Sequence, residues 1–369
     1  MPTVNNCPSP LADKFEQQVE TKAFLSSYFK TTKRFVFKTG DKIITPFRLG
    51  KNKIAVAVTK WSGPNFNEYH KSEVMEVDLA NYSEAFPVTA QMLENVPFGM
   101  TQFDAAQQEA YLRLADYIQE YVTDAEQMIR GALELQASQI FQTGKLDLAD
   151  KDGNTIYTYT FPTPQSHFPT VGTTWDKTTA KPLDDLQALA KVIVSNGKVT
   201  VKDVVMNSTT FNLFINNKQV QEFGDFRRIV TVDINSTEMN QLGVALQGTV
   251  GIAGFNFNLW VYDEEFENPQ TELMERYLKD NKVLMLPDVN SPNVRLEHYF
   301  ISTPLIRGAD TVAAGVKAMA PASLPFDNGP CLERNLYQTP DGRSLTLEYS
   351  GKNILIPTSF MVFGCLTVK

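Results

Sequence analysis

The longest amphipathic pattern in the chain runs from Thr101 to Gly144. Inside it, apolar and small residues recur mostly in steps of three and four, which places them on one face of a helix. Thr101 with Asp104, or Asp104 with Gln107, offers an N-cap pair, and Gly144 is a typical stop. The pattern predicts one helix about 65 Å long, at about 1.5 Å per residue. Its predicted inward face consists of Leu114, Ile118, Val122, Ala125, Ile129, Ala132, Leu133 and Ile140.

The pattern changes several times before this helix. Residues 1–10 are rich in Pro, Asn and Ser and predict a loose arm. Leu11 to Phe29 has apolar residues at helical spacing and predicts a short helix. The alternation in Arg34–Lys38 and in Lys42–Thr45 then predicts two strands.

A long charged hairpin is predicted between about residues 54 and 88. Ile54–Trp61 is expected to form one strand and Glu73–Ala80 the next, with a polar segment between them. The second strand is too highly charged to be buried on both faces, and a lone two-stranded hairpin is marginally stable in water. We therefore expect the hairpin to fold back on its own domain or to lie on a neighbouring molecule.

Beyond the long helix, the pattern indicates mixed helix and strand. Lys145–Leu148 and Thr155–Phe161 flank an Asp-Gly pair and predict a hairpin. Pro182 followed by two aspartates predicts the start of a helix that ends at Gly197. Further helices are expected at Ser208–Asn217, Lys218–Phe223 and Thr271–Asp280. Further strands are expected at Val199–Met206, Ile229–Ile234, Gly248–Phe255, Phe257–Tyr262, Val283–Leu286, Leu345–Tyr349, Asn353–Ile356 and Phe360–Val368. Residues 175 to about 300 therefore predict an α+β domain with helices packed on a sheet.

Composition restricts the possible partners. Acidic residues outnumber basic ones by 42 to 34, which gives a formal net charge of −8 and argues against direct neutralisation of phosphates. Cys7, Cys331 and Cys365 are scattered, as expected for free thiols in a reducing compartment. Residues 1–18 lack the pattern of a signal peptide, and no segment of the sequence is long and apolar enough to span a bilayer.

The sequence predicts no catalytic, cofactor-binding or metal site. His70, His167 and His298 are far apart and lack ligand spacing, so we expect them to be isolated surface or loop residues. The segment Asp150–Asn154 resembles a calcium loop only superficially, because placing its glycine at position six leaves the first ligand missing. The glycines of Gly248–Gly254 meet neither the dinucleotide-binding nor the phosphate-loop spacing. We expect a protein that works through contacts and is not an enzyme.

Several segments in order resemble the major capsid proteins of lambda-like tailed phages, the capsid protein E family. None is catalytic, and the case depends on their order and spacing. They are Phe24-Leu25 with Tyr28-Phe29 and Arg34-Phe35, the polar hairpin that ends in Tyr82 and Pro87, the helix-to-strand passage 132–148, Gly172–Trp175, Pro182–Leu186, Asp203–Asn217 and Tyr277–Met285. The segment Leu345–Val368 matches in pattern only.

The resemblance implies the Hong Kong 97-type phage capsid fold, an α+β architecture. On this basis the expected parts are an N-terminal arm, an extended β-hairpin loop, a peripheral domain with the long spine helix, an axial α+β domain, and return strands to both domains. They are assigned to residues 1–45, 46–97, 98–172, 173–300 and 301–369, respectively.

The resemblance also implies a structural function. Copies of the chain would assemble into pentamers and hexamers of an icosahedral shell that encloses double-stranded DNA without sequence-specific binding. A separate scaffolding protein and a portal are the expected partners, with a decoration protein as a further candidate. No cofactor and no membrane are expected, and the location is the virion capsid, assembled in the host cytoplasm.

Three alternatives remain open at this level. A cellular nanocompartment shell of the encapsulin type has the same fold. An enzyme with an unrecognised site within residues 173–300 is a second alternative. A tail or accessory virion protein that binds as a module is a third.

Overall fold

The computed structural model describes residues 23–31, 38–39, 42–47, 73–78, 81–89, 103–150, 153–226, 244–252, 254–301, 323–324, 332–338 and 344–369. Several predictions from the sequence lie outside these residues. They are the arm 1–10, the start of the first predicted helix at 11–22, residues 34–37, the segment 54–72, the strand 229–234, His70, Cys7, Cys331, and the first helical turn at 101–102.

Helices occupy four segments of the described chain. They are α1 (Phe103–Thr143), α2 (Pro182–Gly197), α3 (Ser208–Ile215) and α4 (Lys218–Phe226), with short 3-10 turns at Ser26–Tyr28 and Gln165–His167. The spine helix α1 is one unbroken element of 41 residues, about 60 Å long, as predicted. It ends where Gly144, at φ +68°, donates its backbone N–H to the carbonyl of Ile140, which is the expected glycine stop.

The strands form one five-stranded sheet, one six-stranded sheet and three small sheets among the described residues. In chain order they are β1 (Lys30–Thr31), β2 (Lys38–Thr39), β3 (Lys42–Phe47), β4 (Glu73–Asp78), β5 (Asn81–Thr89), β6 (Lys145–Ala149), β7 (Thr155–Thr160), β8 (Val201–Met206), β9 (Val244–Ile252), β10 (Phe255–Tyr262), β11 (Glu265–Glu267), β12 (Met274–Arg276), β13 (Lys282–Pro287), β14 (Leu296–Ile301), β15 (Ser323–Leu324), β16 (Leu332–Gln338), β17 (Ser344–Pro357) and β18 (Gly364–Thr367).

The five-stranded sheet has the order β18-β13-β8-β10-β9, with β8 and β10 parallel and the other pairs antiparallel. Helix α2 covers one face of it, because Leu186, Leu189, Ala190 and Ile193 are all buried in one apolar cluster with the strands. A second apolar cluster surrounds the C-terminal half of the spine helix.

The six-stranded sheet is organised by β17. The sequence predicted separate strands at 345–349 and 353–356, but residues 344–357 form one strand. The reason is that Ser350 and Gly351 pair with Ser83 and Tyr82 of β5, so the ladder crosses the expected break. The sheet order is β1-β14-β17-β16-β15, with β5 also paired to β17.

One strand pairing in the extended hairpin was not predicted. The observed partner of β4 is β3, whereas the predicted partner, the segment 54–61, lies outside the described residues. In the observed register Lys42 lies opposite Asp78 and Ile43 opposite Val77.

The helix predicted at Thr271–Asp280 is wrong, and the one predicted at Leu11–Phe29 differs from the structure in its described part, residues 23–29. Residues 271–280 contain β12, which pairs with β11 so that Glu265 lies opposite Arg276, and the Arg276 guanidinium bonds to the Glu265 carboxylate at 3.2 Å. The described part of the predicted helix 11–29 is a turn and a 3-10 turn. There a buried carboxylate of the spine helix binds the free backbone N–H groups, as described below.

Candidate functional site

The C-terminal half of the spine helix carries buried polar side chains that the helical pattern did not predict. The predicted apolar positions Ala125, Ile129, Leu133 and Ile140 are buried as expected. Four polar residues of the same helix are also buried, namely Glu134, Gln136, Ser138 and Gln142. Glu134, Ser138 and Gln142 are spaced by four and therefore share one side of the helix. Each of the four bonds to a segment distant in sequence, so this part of the helix connects the subunit.

Glu134 holds the N-terminal segment. Its carboxylate accepts the backbone N–H groups of Leu25 at 2.7 Å and Ser26 at 2.8 Å, and the Tyr262 hydroxyl at 2.7 Å. Burial raises the pKa of Glu134, while these hydrogen bonds act in the opposite direction. A buried carboxylate is costly unless its oxygens are satisfied, and here three donors from two distant segments satisfy them.

The N-terminal segment 23–31 also joins both sheets. The Tyr28 hydroxyl donates to Asp203 of β8 at 2.9 Å, and burial, reinforced by the Asp203 charge, raises the pKa of Tyr28. The Phe29 ring packs on Phe141 of the spine helix, with 5.3 Å between centroids. Strand β1 then pairs in parallel with β14 of the six-stranded sheet. The segment therefore fastens the spine helix to both sheets.

Gln136 connects the base of the extended hairpin to β17. Its side-chain nitrogen donates to the Tyr82 hydroxyl at 2.5 Å, and its side-chain oxygen accepts the backbone N–H of Leu355 at 3.0 Å. Burial raises the pKa of Tyr82 to about 12. On the same strand, the Phe86 ring stacks on Tyr121 of the spine helix, with 4.8 Å between centroids. The strand that leaves the hairpin is thus fixed to the spine helix at two points.

Ser138 and Gln142 fix the segment after β12. The Ser138 hydroxyl and the Gln142 amide both donate to the carbonyl of Tyr277, the latter at 2.8 Å. The Gln142 side-chain oxygen accepts the Lys279 backbone N–H at 3.2 Å. These bonds hold residues 277–279 in a non-helical form, which explains the failed helix prediction there.

Large apolar side chains are exposed at a few positions. Ile156 and Tyr157 are exposed on β7, and Leu273 and Met274 at the turn of the β11–β12 hairpin. The β7 segment, Thr155–Thr160, has no charged residue, and among the described strands it pairs with β6. Uncharged edge strands and exposed apolar side chains are typical of surfaces that other chains cover.

The side chains considered for chemistry do not converge in the described residues. His167 and His298 are buried rather than on the surface, which corrects the prediction. One His167 ring nitrogen lies 2.7 Å from the Phe363 carbonyl and the other 3.0 Å from the Asn196 amide nitrogen. His298 Nε2 lies 3.2 Å from the Asn353 side-chain oxygen. Burial lowers the pKa of His167 and lowers that of His298 to about 4. Both histidines have structural partners.

Other motifs in the described part of the chain are structural. The Asn154 backbone N–H bonds to the Asp150 carboxylate at 2.8 Å, which closes the predicted hairpin turn. Gly248 and Gly251 lie in β9. Cys365 is a buried free thiol, and burial raises its pKa to about 12. No group of three potential metal ligands occurs in the ranges that the structure covers, and no helix there is long and apolar enough to cross a membrane.

Comparison with known proteins identifies relatives. A family model described as phage major capsid protein E matches residues 11–319, whereas no curated protein matches the chain. A crystal structure of a protein assigned as the capsid protein of a prophage in E. coli CFT073 is 12% identical, with 95% of this chain and 94% of that chain covered and a TM-score of 0.60. This likeness shows a shared fold.

Two further solved structures are more distant. A phage-related protein from Bordetella bronchiseptica RB50 is 9% identical, with coverage of 94% of this chain and 91% of that chain and a TM-score of 0.47. The SrpI encapsulin complex from Synechococcus elongatus PCC 7942 is 12% identical, with coverage of 95% and 89% and a TM-score of 0.42. At these scores neither likeness carries an argument.

Proposed function

The chain belongs to the phage major capsid protein E family, and we propose that its copies close into rings of five and six subunits that build an icosahedral shell around the phage genome. The protein functions as a major capsid protein. It has the Hong Kong 97-type fold that was expected from the sequence. The observation that carries the proposal is the family match over residues 11–319. The family has a structural role, and we propose no catalytic one.

The architecture supports assembly through many modest contacts. Head-to-tail contacts between identical subunits form closed rings when the rotation fits. In the described residues, β3 pairs with β4 and with the two-residue strand β2, and a sheet this small needs further packing for stability. We propose that the hairpin gains that packing on the next subunit. We also propose that neighbouring subunits cover Ile156 of β7 and Leu273 and Met274 of the β11–β12 hairpin.

The domain division is part of the proposal. Residues 98–172 would form the peripheral domain around the spine helix, and residues 173–300 the axial domain around the five-stranded sheet. The apolar cluster beneath α2 lies almost entirely within residues 173–300, which supports the axial domain. The cluster beside α1 joins the two proposed domains, because it includes both Ile140 and Leu284. Residues 1–45 would be the N-terminal arm, 46–97 the extended loop, and 301–369 the strands that return to both domains.

The proposed partners follow from the assembly. We propose a separate scaffolding protein, a portal and a decoration protein, with the shell assembled in the host cytoplasm. The net charge of −8 fits a shell that encloses double-stranded DNA neutralised by other cations. An encapsulin-type nanocompartment would instead purify with cargo enzymes and without a genome, so the nucleic acid content of purified particles separates the two.

Deletion of residues 62–71 tests the role of the hairpin. We expect the variant to fold but to form no closed shells, because the contact between neighbouring subunits is lost. A variant with residues 62–71 scrambled keeps length and composition and shows whether the sequence itself matters. Normal particles from the deletion variant in electron micrographs would reject the role proposed for the hairpin.

A further inference from the structure

We infer that the hydroxyl group of Tyr159 sets the direction in which the extended hairpin leaves the body of the subunit. Tyr159 lies on β7, outside the hairpin itself. Its role would be that of a positioning residue for assembly. The inference rests on the proposed function, because it concerns the hairpin through which neighbouring subunits are proposed to meet.

One hydroxyl group binds both backbone groups of a single residue. The Tyr159 oxygen accepts the backbone N–H of Asp78 at 2.9 Å, and its O–H donates to the backbone carbonyl of Asp78 at 3.0 Å. Both distances are in the normal range for strong bonds. The N–H and C=O of one residue lie on the same edge of an extended strand, so two directional bonds to a single oxygen fix the position and orientation of that edge at Asp78.

Asp78 is the place where the chain passes between two sheets. It is the last residue of β4, and Lys42, opposite it, is the first residue of β3. Three residues later, Asn81 begins β5 and pairs with Lys352 of β17. The hairpin therefore starts at a junction, and the buried Val77 side chain is the adjacent apolar anchor. Packing of one valine resists displacement but leaves the tilt of a strand poorly fixed, since dispersion contacts are non-directional.

Tyr159 itself packs against the apolar cluster that includes Ile140 and Phe141 of the spine helix. It lies opposite the fully buried Leu146 of β6, and its ring stacks on Tyr157 with 6.0 Å between centroids. The β6–β7 hairpin follows the spine helix directly, and the Phe161 backbone N–H closes it onto the Gly144 carbonyl at 3.0 Å. Burial raises the pKa of Tyr159 to about 12, so the hydroxyl remains a donor at neutral pH. Through Tyr159, the orientation of the spine helix therefore determines the orientation of the strand at Asp78.

A small change in the tilt of the extended hairpin at Asp78 displaces the far end of its arms by a large distance. Each described arm of the hairpin has six residues, which is about 20 Å at roughly 3.3 Å per residue. A tilt of about 15° at the base displaces the end of such an arm by about 5 Å. A displacement of that size exceeds the distance over which hydrogen bonds and packed side chains remain in contact.

The test compares two substitutions on one strand. Tyr159→Phe removes the hydroxyl that binds Asp78 and keeps the ring. Tyr157→Phe makes the same change two residues away, on the same face of β7, and is the matched control. The full-length variants are assembled under the conditions in which the unaltered chain forms shells. Particles are counted by electron microscopy, and amide exchange of the unassembled subunits is followed by mass spectrometry.

The inference predicts a separation between folding and assembly. For Tyr159→Phe we expect at least a tenfold loss of closed shells and at least tenfold faster exchange at Asp78, with exchange in β8 and β13 unchanged. Tyr157→Phe should assemble normally. Normal shells from Tyr159→Phe, or faster exchange throughout the subunit, would overturn the inference. If the unaltered chain forms no shells under any condition, the proposed function itself fails.

Discussion

Glu134 of the spine helix and Tyr262 of β10 meet in the core, with 2.7 Å between the carboxylate and the hydroxyl oxygen. The same carboxylate oxygen accepts the backbone N–H of Leu25. One buried side chain therefore connects the helix, the five-stranded sheet and the N-terminal segment. In a protein whose function is to present surfaces to copies of itself, such a connection keeps those surfaces in fixed relation.

Replacement of Glu134 should destabilise the subunit strongly. Glu134→Ala leaves two backbone N–H groups and the Tyr262 hydroxyl buried without their acceptor, and each such group costs about 1–3 kcal/mol. We expect the free energy of unfolding, measured by denaturant titration of unassembled subunits, to fall by about 3 kcal/mol or more.

Glu126→Ala is the control for Glu134→Ala in the same helix. Glu126 forms a partly exposed ion pair with Arg130 at 2.6 Å, one turn away. Such i,i+4 pairs contribute about 0.3–0.5 kcal/mol. Equal losses for the two variants would contradict the role given to Glu134.

His298 should make the subunit less stable in mild acid. Its pKa is lowered to about 4 in the folded state, against about 6.5 in an unfolded chain. Between these values the unfolded chain binds a proton that the folded chain does not, so stability falls as pH falls. The loss from this residue reaches about 2 kcal/mol at pH 5.

The His298→Gln variant isolates this contribution. Other groups titrate in the same range, so the informative quantity is the difference between the two proteins in the loss of unfolding free energy from pH 7 to pH 5. We expect the variant to lose about 2 kcal/mol less than the unaltered chain. Identical losses would show that His298 does not carry the effect.

Gly144 at the end of the spine helix should not tolerate a side chain. Its φ of +68° is unfavourable for other residues, and an added Cβ would lie 3.0 Å from the Phe168 ring. We expect Gly144→Ala to lower the midpoint of thermal unfolding, with a cost of about 1–2 kcal/mol. Gly172→Ala is the control, because nothing lies within 4 Å of its added Cβ. A neutral Gly144→Ala would contradict this explanation of the helix end.

Cys365 should be chemically silent in the folded subunit. Its side chain is buried, and burial raises the thiol pKa to about 12, while the thiolate is the reactive form. Alkylation with iodoacetamide near pH 8, followed by peptide mass spectrometry, should label Cys365 after unfolding in denaturant but not before. Rapid labelling of Cys365 in the native subunit would show that this part of the core opens.

Local patterns in the sequence predicted most of the elements. The spine helix could be predicted because its apolar period and its glycine stop are both local features. Helix α2 could be predicted from Pro182 and the following aspartates. In the same way, the alternation on either side of the Asp-Gly turn predicted β6 and β7.

The features that organise the subunit could not be predicted in this way. Glu134 and Gln142 have the composition of a solvated helix face, and nothing local shows that their partners lie more than one hundred residues away. Residues 271–280 have helix-forming side chains, but the pairing of Arg276 with Glu265 and the bonds to Tyr277 outweigh that preference. His167 and His298 were predicted to be surface or loop residues for the same reason, since their partners Phe363, Asn196 and Asn353 lie elsewhere in the chain.

The most direct test of the central claim is electron microscopy of the purified full-length protein, with its nucleic acid content measured on the same particles. The account predicts large, closed particles of icosahedral symmetry built from this one chain, and DNA inside those taken from infected or induced cells. A chain that remains monomeric under every assembly condition while it converts a small molecule would contradict it.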